Sequence, residues 1–383
     1  MSGVKEGEMI KEKKKRKNKV VKIATVFSGI GAIEHALQRM NIPTKIIFAC
    51  DNDKFCKESY FANYNMNDDR WIEDINKVDG KKYKGKVDLF VGGSPCQSFS
   101  MVGRRKGLED PRGLLIYNFV KLVNQIKPKV FIYENVKGLM NHGKSETWKI
   151  IKKHLDSTKY DIYVKILNAK DYGIPQNRER MFVIGFLKSK KDFKFPESVE
   201  LKLTMQDLLE DNPNSKYFLP EKGIAFVTKD KNLKKRWTQI NGEIALCQKR
   251  NQQFNWHGDF VMEFPKNKID KKYFLSNKVA KYVSATGTKN FYSKPKFNLE
   301  VARPLLATMA KMHRAGVDNY IKKGGKIRKL TPRECLRLMG FDDRFKIVVS
   351  DTQAYKQTGN AIVVDVLINL LKAINIEEYA KPS

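Results

Sequence analysis

The sequence predicts an α/β protein: a doubly wound, mostly parallel sheet joined to a second, smaller and irregular domain. Three observations carry this. From Val20 to about residue 198, strand-like and helix-like pieces alternate, the pattern of successive βαβ units. From about Glu200 to Val301 that alternation stops, and Lys, Asn and aromatics such as Trp237, Phe254, Trp256, Tyr282, Phe291 and Tyr292 fill short irregular stretches. The residues suited to chemistry, Gly29, Asp51, Cys96 and Glu134, all follow strand-like segments, where open α/β sheets bind ligands.

Each element has a local reason. Lys22–Phe27, Lys45–Cys50, Val87–Val91 and Val130–Tyr133 are short apolar runs rich in β-branched and aromatic residues, so they read as strands. Tyr160–Leu167 and Arg180–Phe186 read as two more. Ala32–Met40, Lys54–Tyr64, Leu114–Ile126 and Ser145–Leu155 carry apolar residues at helical spacing between them. Helical order returns at Thr331–Met339, with Thr331 as N-cap and Pro332 in the first turn, and a last helix is expected over roughly Ala361–Asn375. These pieces divide the chain into a disordered basic arm (1–19), a first α/β domain (20–198), a second, irregular domain (199–325) and a C-terminal segment (326–383).

Bulk properties bound the partners. A chain of 383 residues with 41% hydrophobic content suits about two domains and a sizeable core. The net charge of +32, from 74 Lys+Arg against 42 Asp+Glu, favours a polyanion, although a lysine-rich proteome would explain part of it. The run Lys11–Lys19 is suited to phosphate contacts or, in a nucleated cell, to nuclear import. Five cysteines without a CxxC pair and five scattered histidines point to neither a disulfide framework nor a metal site. Cys50, Cys56, Cys247 and Cys335 read as packing residues. No apolar stretch approaches the ~20 residues of a membrane span, and no signal-peptide core stands at the N-terminus, so a soluble intracellular protein is expected.

Cys96 differs from the other cysteines. It lies in Gly92-Gly93-Ser94-Pro95-Cys96-Gln97-Ser98, a loop leaving a buried strand, where a thiol near positive charge can become a thiolate nucleophile. Upstream, Phe27-Ser28-Gly29-Ile30-Gly31 leaves a strand and opens a helix, so its glycines permit close backbone approach to a ligand. Asp51 ends the next strand about 20 residues on, the place of an acid that bonds ribose hydroxyls. A G-x-G alone fits a nicotinamide dinucleotide as well as S-adenosylmethionine. Glu34 stands where the dinucleotide fingerprint needs its third glycine, and the cysteine loop has no role in hydride transfer.

Taken in order, Phe27–Gly31, the Pro95-Cys96-Gln97 loop, Glu134-Asn135-Val136, Gln176-Asn177-Arg178-Glu179-Arg180, Arg328–Phe341 and Tyr355–Ala361 resemble the cytosine-5 DNA methyltransferase family of bacterial restriction-modification systems. The likeness runs from Val20 to the last helix except over about 200–300. It implies the S-adenosylmethionine-dependent methyltransferase fold and that cofactor, with Phe27, Gly29, Ile30, Gly31, Asp51, Asn52, Asp74, Ile75, Pro95, Leu115, Asn360 and Ala361 around it. It implies Cys96 as the nucleophile at cytosine C6, Glu134 as the acid at N3, and Arg178 and Arg180 as cations for the thiolate, the base carbonyl and flanking phosphate. Gln97, Arg104, Arg105, Lys106 and Thr308 would touch DNA, the first four on or beside the loop Met101–Arg112 with Gly103 and Gly107 as hinges. The target base would be flipped out of duplex DNA.

The chain departs from the family pattern at Asp51 and Asn52, where Glu and a bulky apolar residue are usual, at Ser94, and at Ala361, where Ser is common. The resemblance further implies a monomer acting on double-stranded DNA in the cytoplasm at the nucleoid, or in a nucleus, with no membrane and with a restriction endonuclease as system partner. Two alternatives remain at this stage: an RNA (tRNA) cytosine-5 methyltransferase on the same scaffold, and a non-catalytic nucleic-acid-binding module.

Overall fold

The computed structural model describes residues 19–94, 115–141, 146–188, 192–211, 213–214, 217–235, 238–240, 243, 256–263, 296–305, 314–315, 319–323 and 326–382. Its main sheet has the order β3-β2-β1-β4-β5-β7-β6. The strands are β1 (Lys19–Val26), β2 (Thr44–Cys50), β3 (Trp71–Ile72), β4 (Leu89–Gly92), β5 (Val130–Val136), β6 (Asp161–Asn168) and β7 (Glu179–Phe186). Strands β1 to β5 pair in parallel with their neighbours, whereas β7 runs antiparallel to both β5 and β6. The strand order reverses between β1 and β4, which opens a crevice beyond their C-terminal ends.

The strands split their side chains between two apolar layers with period two. Val21, Ile23, Leu89, Val91, Val130 and Ile132 face one layer; Ala24, Val26, Phe90, Phe131 and Tyr133 face the other. On the first side lie helix α1 (Ala32–Arg39) and the C-terminal helix described below. On the second lie α3 (Leu115–Ile126) and α5 (Glu146–Asp156), while α2 (Lys54–Asn63) follows β2 and the short α4 (Gly138–Asn141) precedes α5. Phe119 of α3 is fully buried, stacks on Phe90 at 5.0 Å and meets Phe131 and Tyr133 edge-on or tilted. Truncating Phe119 to alanine is expected to cost about 3–5 kcal/mol, read as a lowered denaturation midpoint.

The region after residue 200 holds more sheet than its irregular pattern suggests. Helices α6 (Glu221–Val227) and α7 (Asp230–Lys234) adjoin a six-stranded sheet built from β8 (Thr238–Ile240), β9 (Trp256–Glu263), β10 (Lys296–Phe297), β11 (Arg314–Ala315), β12 (Tyr320–Lys323) and β13 (Lys326–Lys329). Most of these strands are two to four residues long, too short for an alternating signature. Strand β13 carries this sheet to Lys329, four residues past the boundary expected at 325.

The C-terminal segment packs back on the first sheet. Helix α8 (Pro332–Leu338) starts as its sequence predicts, in a capping box between Thr331 and Glu334. The expected last helix forms as α10 (Val364–Ile374), and a further helix, α9 (Asp351–Asn360), precedes it, parted from it by the extended Ala361. Although 351–374 is long and apolar enough in sum to cross a membrane, α10 buries Val364, Val366, Leu367, Leu370 and Leu371 as a core helix. Helix α9 lacks a strong apolar period and is held instead by polar ties: Gln357 to Ser59 and to the Phe55 carbonyl, and Lys356 to Asp53. Arg39 at the end of α1 grips Asp365 bidentately, at 2.7 and 3.0 Å, and also the Gly340 carbonyl. The closing β14 (Lys381–Pro382) pairs antiparallel with the start of β1.

Candidate active site

The crevice at the β1/β4 reversal is a cavity of about 490 Å³, part of it open to solvent. Its walls are Thr25–Ile30 and Ala32–Glu34 from the first turn and helix, Val91–Gly93 from the end of β4, Glu134 from β5, and Asn360–Ile362 between α9 and α10. Local geometry sets the turn. Phe27, Gly29 and Gly31 all take left-handed backbone angles, with φ of 55°, 54° and 78°. For Phe27 this conformation is strained, by roughly 1–3 kcal/mol, as at many functional sites. A Cβ at Gly29 would point into open space, whereas one at Gly31 would collide with the Tyr64 ring. Gly31 therefore serves packing, and the Tyr64 hydroxyl lies 2.7 Å from its carbonyl oxygen.

Asp51 braces the turn from β2. Its carboxylate accepts the Gly29 N–H at 2.8 Å and the Asp53 N–H at 2.9 Å, while burial raises its pKa. Asn52 is exposed beside it. Asp74 caps a 3-10 turn by accepting the Asn76 N–H, with Ile75 buried beneath. Leu115 opens α3 and is half-buried. Asp51, Asn52, Asp74, Ile75 and Leu115 stand outside the cavity lining, whereas Phe27, Gly29, Ile30, Asn360 and Ala361 belong to it.

Glu134 projects from β5 into the cavity, where Arg180 Nε approaches its Oε1 at 3.1 Å. Burial raises the Glu134 pKa, and Arg180 and then Arg178 pull it back. A Cβ at Gly93 would lie 3.0 Å from the Glu134 carboxylate, so the glycine lets β4 and this side chain approach. The two arginines have different partners among the described residues. Arg180 sits beside Glu134. Arg178 is buried, and its Nη2 donates to the carbonyls of Gly359 and Ala361, binding the C-terminal segment to the site. Its charge also acts on Glu134.

The described part of the cysteine loop ends at Ser94, two residues before Cys96. Ser94 Oγ lies 2.6 Å from the Tyr133 hydroxyl, and Asn135 Nδ2 donates to that hydroxyl at 2.8 Å and to the Ser94 carbonyl at 3.2 Å. This buried cluster anchors the loop entrance to β5, next to Glu134. Pro95, Cys96, Gln97, Arg104, Arg105, Lys106 and Thr308 lie outside the described residues. Of the other cysteines, Cys50, Cys56 and Cys335 are buried; burial pushes Cys50 up to about 12 and Cys56 well above the usual thiol range. Both are held as inert thiols.

Sequence reasoning missed Glu34, Tyr60, Tyr64 and the partners of Ser94. An acid in the first turn of a helix is ordinary, so nothing local marks Glu34 as buried. Only Tyr60 of α2 and Tyr64 at its C-cap, four residues apart, hint at a shared buried face.

Comparison with known proteins accords with this geometry. The profile of the family described as C-5 cytosine-specific DNA methylase matches residues 21–375. The Type II methyltransferase M.SsoII of Shigella sonnei is 34% identical over 348 residues, covering 89% of this chain and 76% of that protein. The orphan methyltransferase M.SPRI of Bacillus phage SPR is 30% identical over 433 residues, covering 92% and 97%. In fold, the chain resembles the Entamoeba histolytica methyltransferase EhMeth with a TM-score of 0.61 at 20% identity, over 92% of this chain and 97% of that one. A profile match over nearly the full length, with relatives at 34% and 30% identity over most of both chains, leaves one assignment: the chain belongs to the C-5 cytosine-specific DNA methylase family.

Proposed function

We propose that this DNA cytosine-5 methyltransferase uses S-adenosylmethionine and works on a flipped cytosine through a covalent bond to Cys96. The observation that carries the reading is the placement of Glu134. It lies at the C-terminal end of β5 with Arg180 beside it, across from the strand whose loop continues to Cys96. The cavity fits the cofactor in kind: a glycine turn with open space at Gly29, acidic groups for a cationic ligand, and a buried carboxylate oxygen of Glu34 without a partner. Phe27, Gly29, Ile30, Asn360 and Ala361 would hold it, with Asp51 at the ribose. When bound, S-adenosylmethionine supplies a methyl group on a positively charged sulfur.

The protein's own residues do the rest. The Cys96 thiolate adds to C6, and the ring electrons move toward N3, where Glu134 delivers a proton; C5 thereby becomes a carbon nucleophile. After C5 is methylated, water takes the C5 proton, the C5=C6 bond re-forms as the C6–S bond breaks to release the Cys96 thiolate, and N3 returns its proton to Glu134. Burial keeps Glu134 readier to hold a proton than an ordinary carboxyl, and Arg180 fixes its orientation. Arg178 holds the Gly359–Ala361 wall in place.

Bisulfite sequencing of DNA from cells expressing the protein tests the reading, beside methylation of duplex DNA and transfer RNA in vitro. One sequence context methylated in duplex DNA is expected. Methylated transfer RNA with untouched DNA would replace it by the RNA reading. Binding to DNA should also weaken steeply with salt, log affinity falling by about 0.9 per neutralised phosphate for each decade. Removing residues 1–18, which spares β1, should lessen that slope without changing the methylated sequence, because a basic arm grips phosphates and does not read base edges. A changed methylation map would instead give the arm a part in readout.

A further inference from the structure

Glu34 lines the cavity from the first turn of α1 and is only 3% exposed. Its Oε1 is used: the Tyr60 hydroxyl donates to it at 2.6 Å and the Thr25 hydroxyl at 3.4 Å. Its Oε2 is buried with no hydrogen-bond partner. A buried carboxylate oxygen left unmatched is unfavourable, and such a group at a cavity wall is explained when a ligand completes it. Among the described residues, three cations of the neighbouring elements have other acidic partners. Arg39, further along α1, is held by Asp365 and the Gly340 carbonyl. Arg180 pairs with Glu134, and Lys356 with Asp53.

We propose that Glu34 is a further cofactor-binding residue of this chain, whose Oε2 receives the α-ammonium of the methionine part of S-adenosylmethionine. The assignment rests on the cofactor reading above. A charged N–H donor answers a buried carboxylate better than a ribose hydroxyl does. Of the cavity's other acids, Glu134 already has Arg180, and Asp51, just behind the lining, has two backbone amides.

The proposal has a protonic signature. Burial raises the Glu34 pKa to about 7, and only hydrogen bonds from Tyr60, its own backbone and Thr25 oppose it. An ammonium arriving at Oε2 lowers that pKa. Below about pH 7 the free carboxyl is mostly protonated, so binding there expels a proton. The other titratable groups around Glu34 do not mimic this. Tyr60 of α2 and Tyr64 just past its end are pushed above the usual phenol range, and His35 on α1, lowered to about 4 by burial, stays neutral. Glu134 across the cavity, raised by burial against Arg180 and Arg178, is controlled for by its glutamine variant, and Asp51, also raised by burial, by methylthioadenosine, which carries the same ribose.

The test is calorimetric titration at pH 6.5, in two buffers of different ionisation enthalpy, with S-adenosylhomocysteine and with 5′-methylthioadenosine, which lacks the amino acid. Wild-type protein and Glu134→Gln should both release most of one proton with the first ligand and none with the second. Glu34→Gln should release none and bind S-adenosylhomocysteine roughly 10–100-fold more weakly, the range for a charge-assisted bond, with methylthioadenosine affinity unchanged. Wild-type binding without proton release overturns the assignment, as does a Glu34→Gln loss that is equal for both ligands. Wild-type protein that binds neither ligand overturns the cofactor reading itself and the assignment with it.

Discussion

Cys96→Ser protein should bind duplex DNA as the wild type does and transfer methyl groups more slowly by over about 10³-fold, the scale on which enzymes lose a covalent nucleophile. The hydroxyl matches the thiol in size and leaves the charge of the loop intact. It is, however, far less ionised near neutral pH and adds poorly to C6. The direct check is trapping. Duplex DNA carrying 5-fluorocytosine at the target, incubated with the enzyme and S-adenosylmethionine, should yield a complex that survives denaturation, because fluorine at C5 does not leave as a proton does. Peptide mapping should place the bond at Cys96. Cys50 and Cys56 are buried thiols held above their usual range, so an adduct at either would contradict both the chemistry and the packing. No adduct at all would remove the covalent mechanism.

Glu134→Gln is the second large effect. The amide keeps the shape and one hydrogen-bonding oxygen but cannot deliver a proton to N3. Turnover should fall by roughly 10²–10⁴, about 3–5 kcal/mol of transition-state stabilisation, with cofactor affinity little changed. Since burial raises the Glu134 pKa, the wild-type rate should decline as pH rises through that raised value and deprotonates the acid. That limb should disappear in the glutamine variant. Single-turnover rates across pH check both statements. A glutamine variant that turns over at the wild-type rate, with the same limb, would place the acid on another residue.

Much of this site is legible in the sequence because its parts sit at strand ends. The period of an apolar run is set by backbone geometry, so Val130–Tyr133 declares a strand by itself and Glu134 must emerge at its end. The same holds for the turn after β1 and for the Gly92–Ser94 exit from β4. Ser94 looked like a simple departure from the family pattern, yet its hydroxyl meets Tyr133 and Asn135, residues some forty positions away. Arg178 and Arg180 share a spacing that suggests one role for both. Their partners separate them: Glu134 for Arg180, and two carbonyls about 180 residues downstream for Arg178.

By itself, then, the sequence determined the order of strands and helices in the first domain, its doubly wound class, and the place of Glu134 at the end of one of its strands. All of these follow from local periodicity and from motifs a few residues long. The tertiary structure alone decided which side chains pair across the crevice: that Arg39 holds the C-terminal segment through Asp365, that Tyr64 requires Gly31, and that Glu34 is buried against Tyr60 with one oxygen unmatched. A backbone's period is written into neighbouring residues. The partner of a buried polar group is chosen by packing between segments far apart in the chain, and no short stretch of sequence contains it.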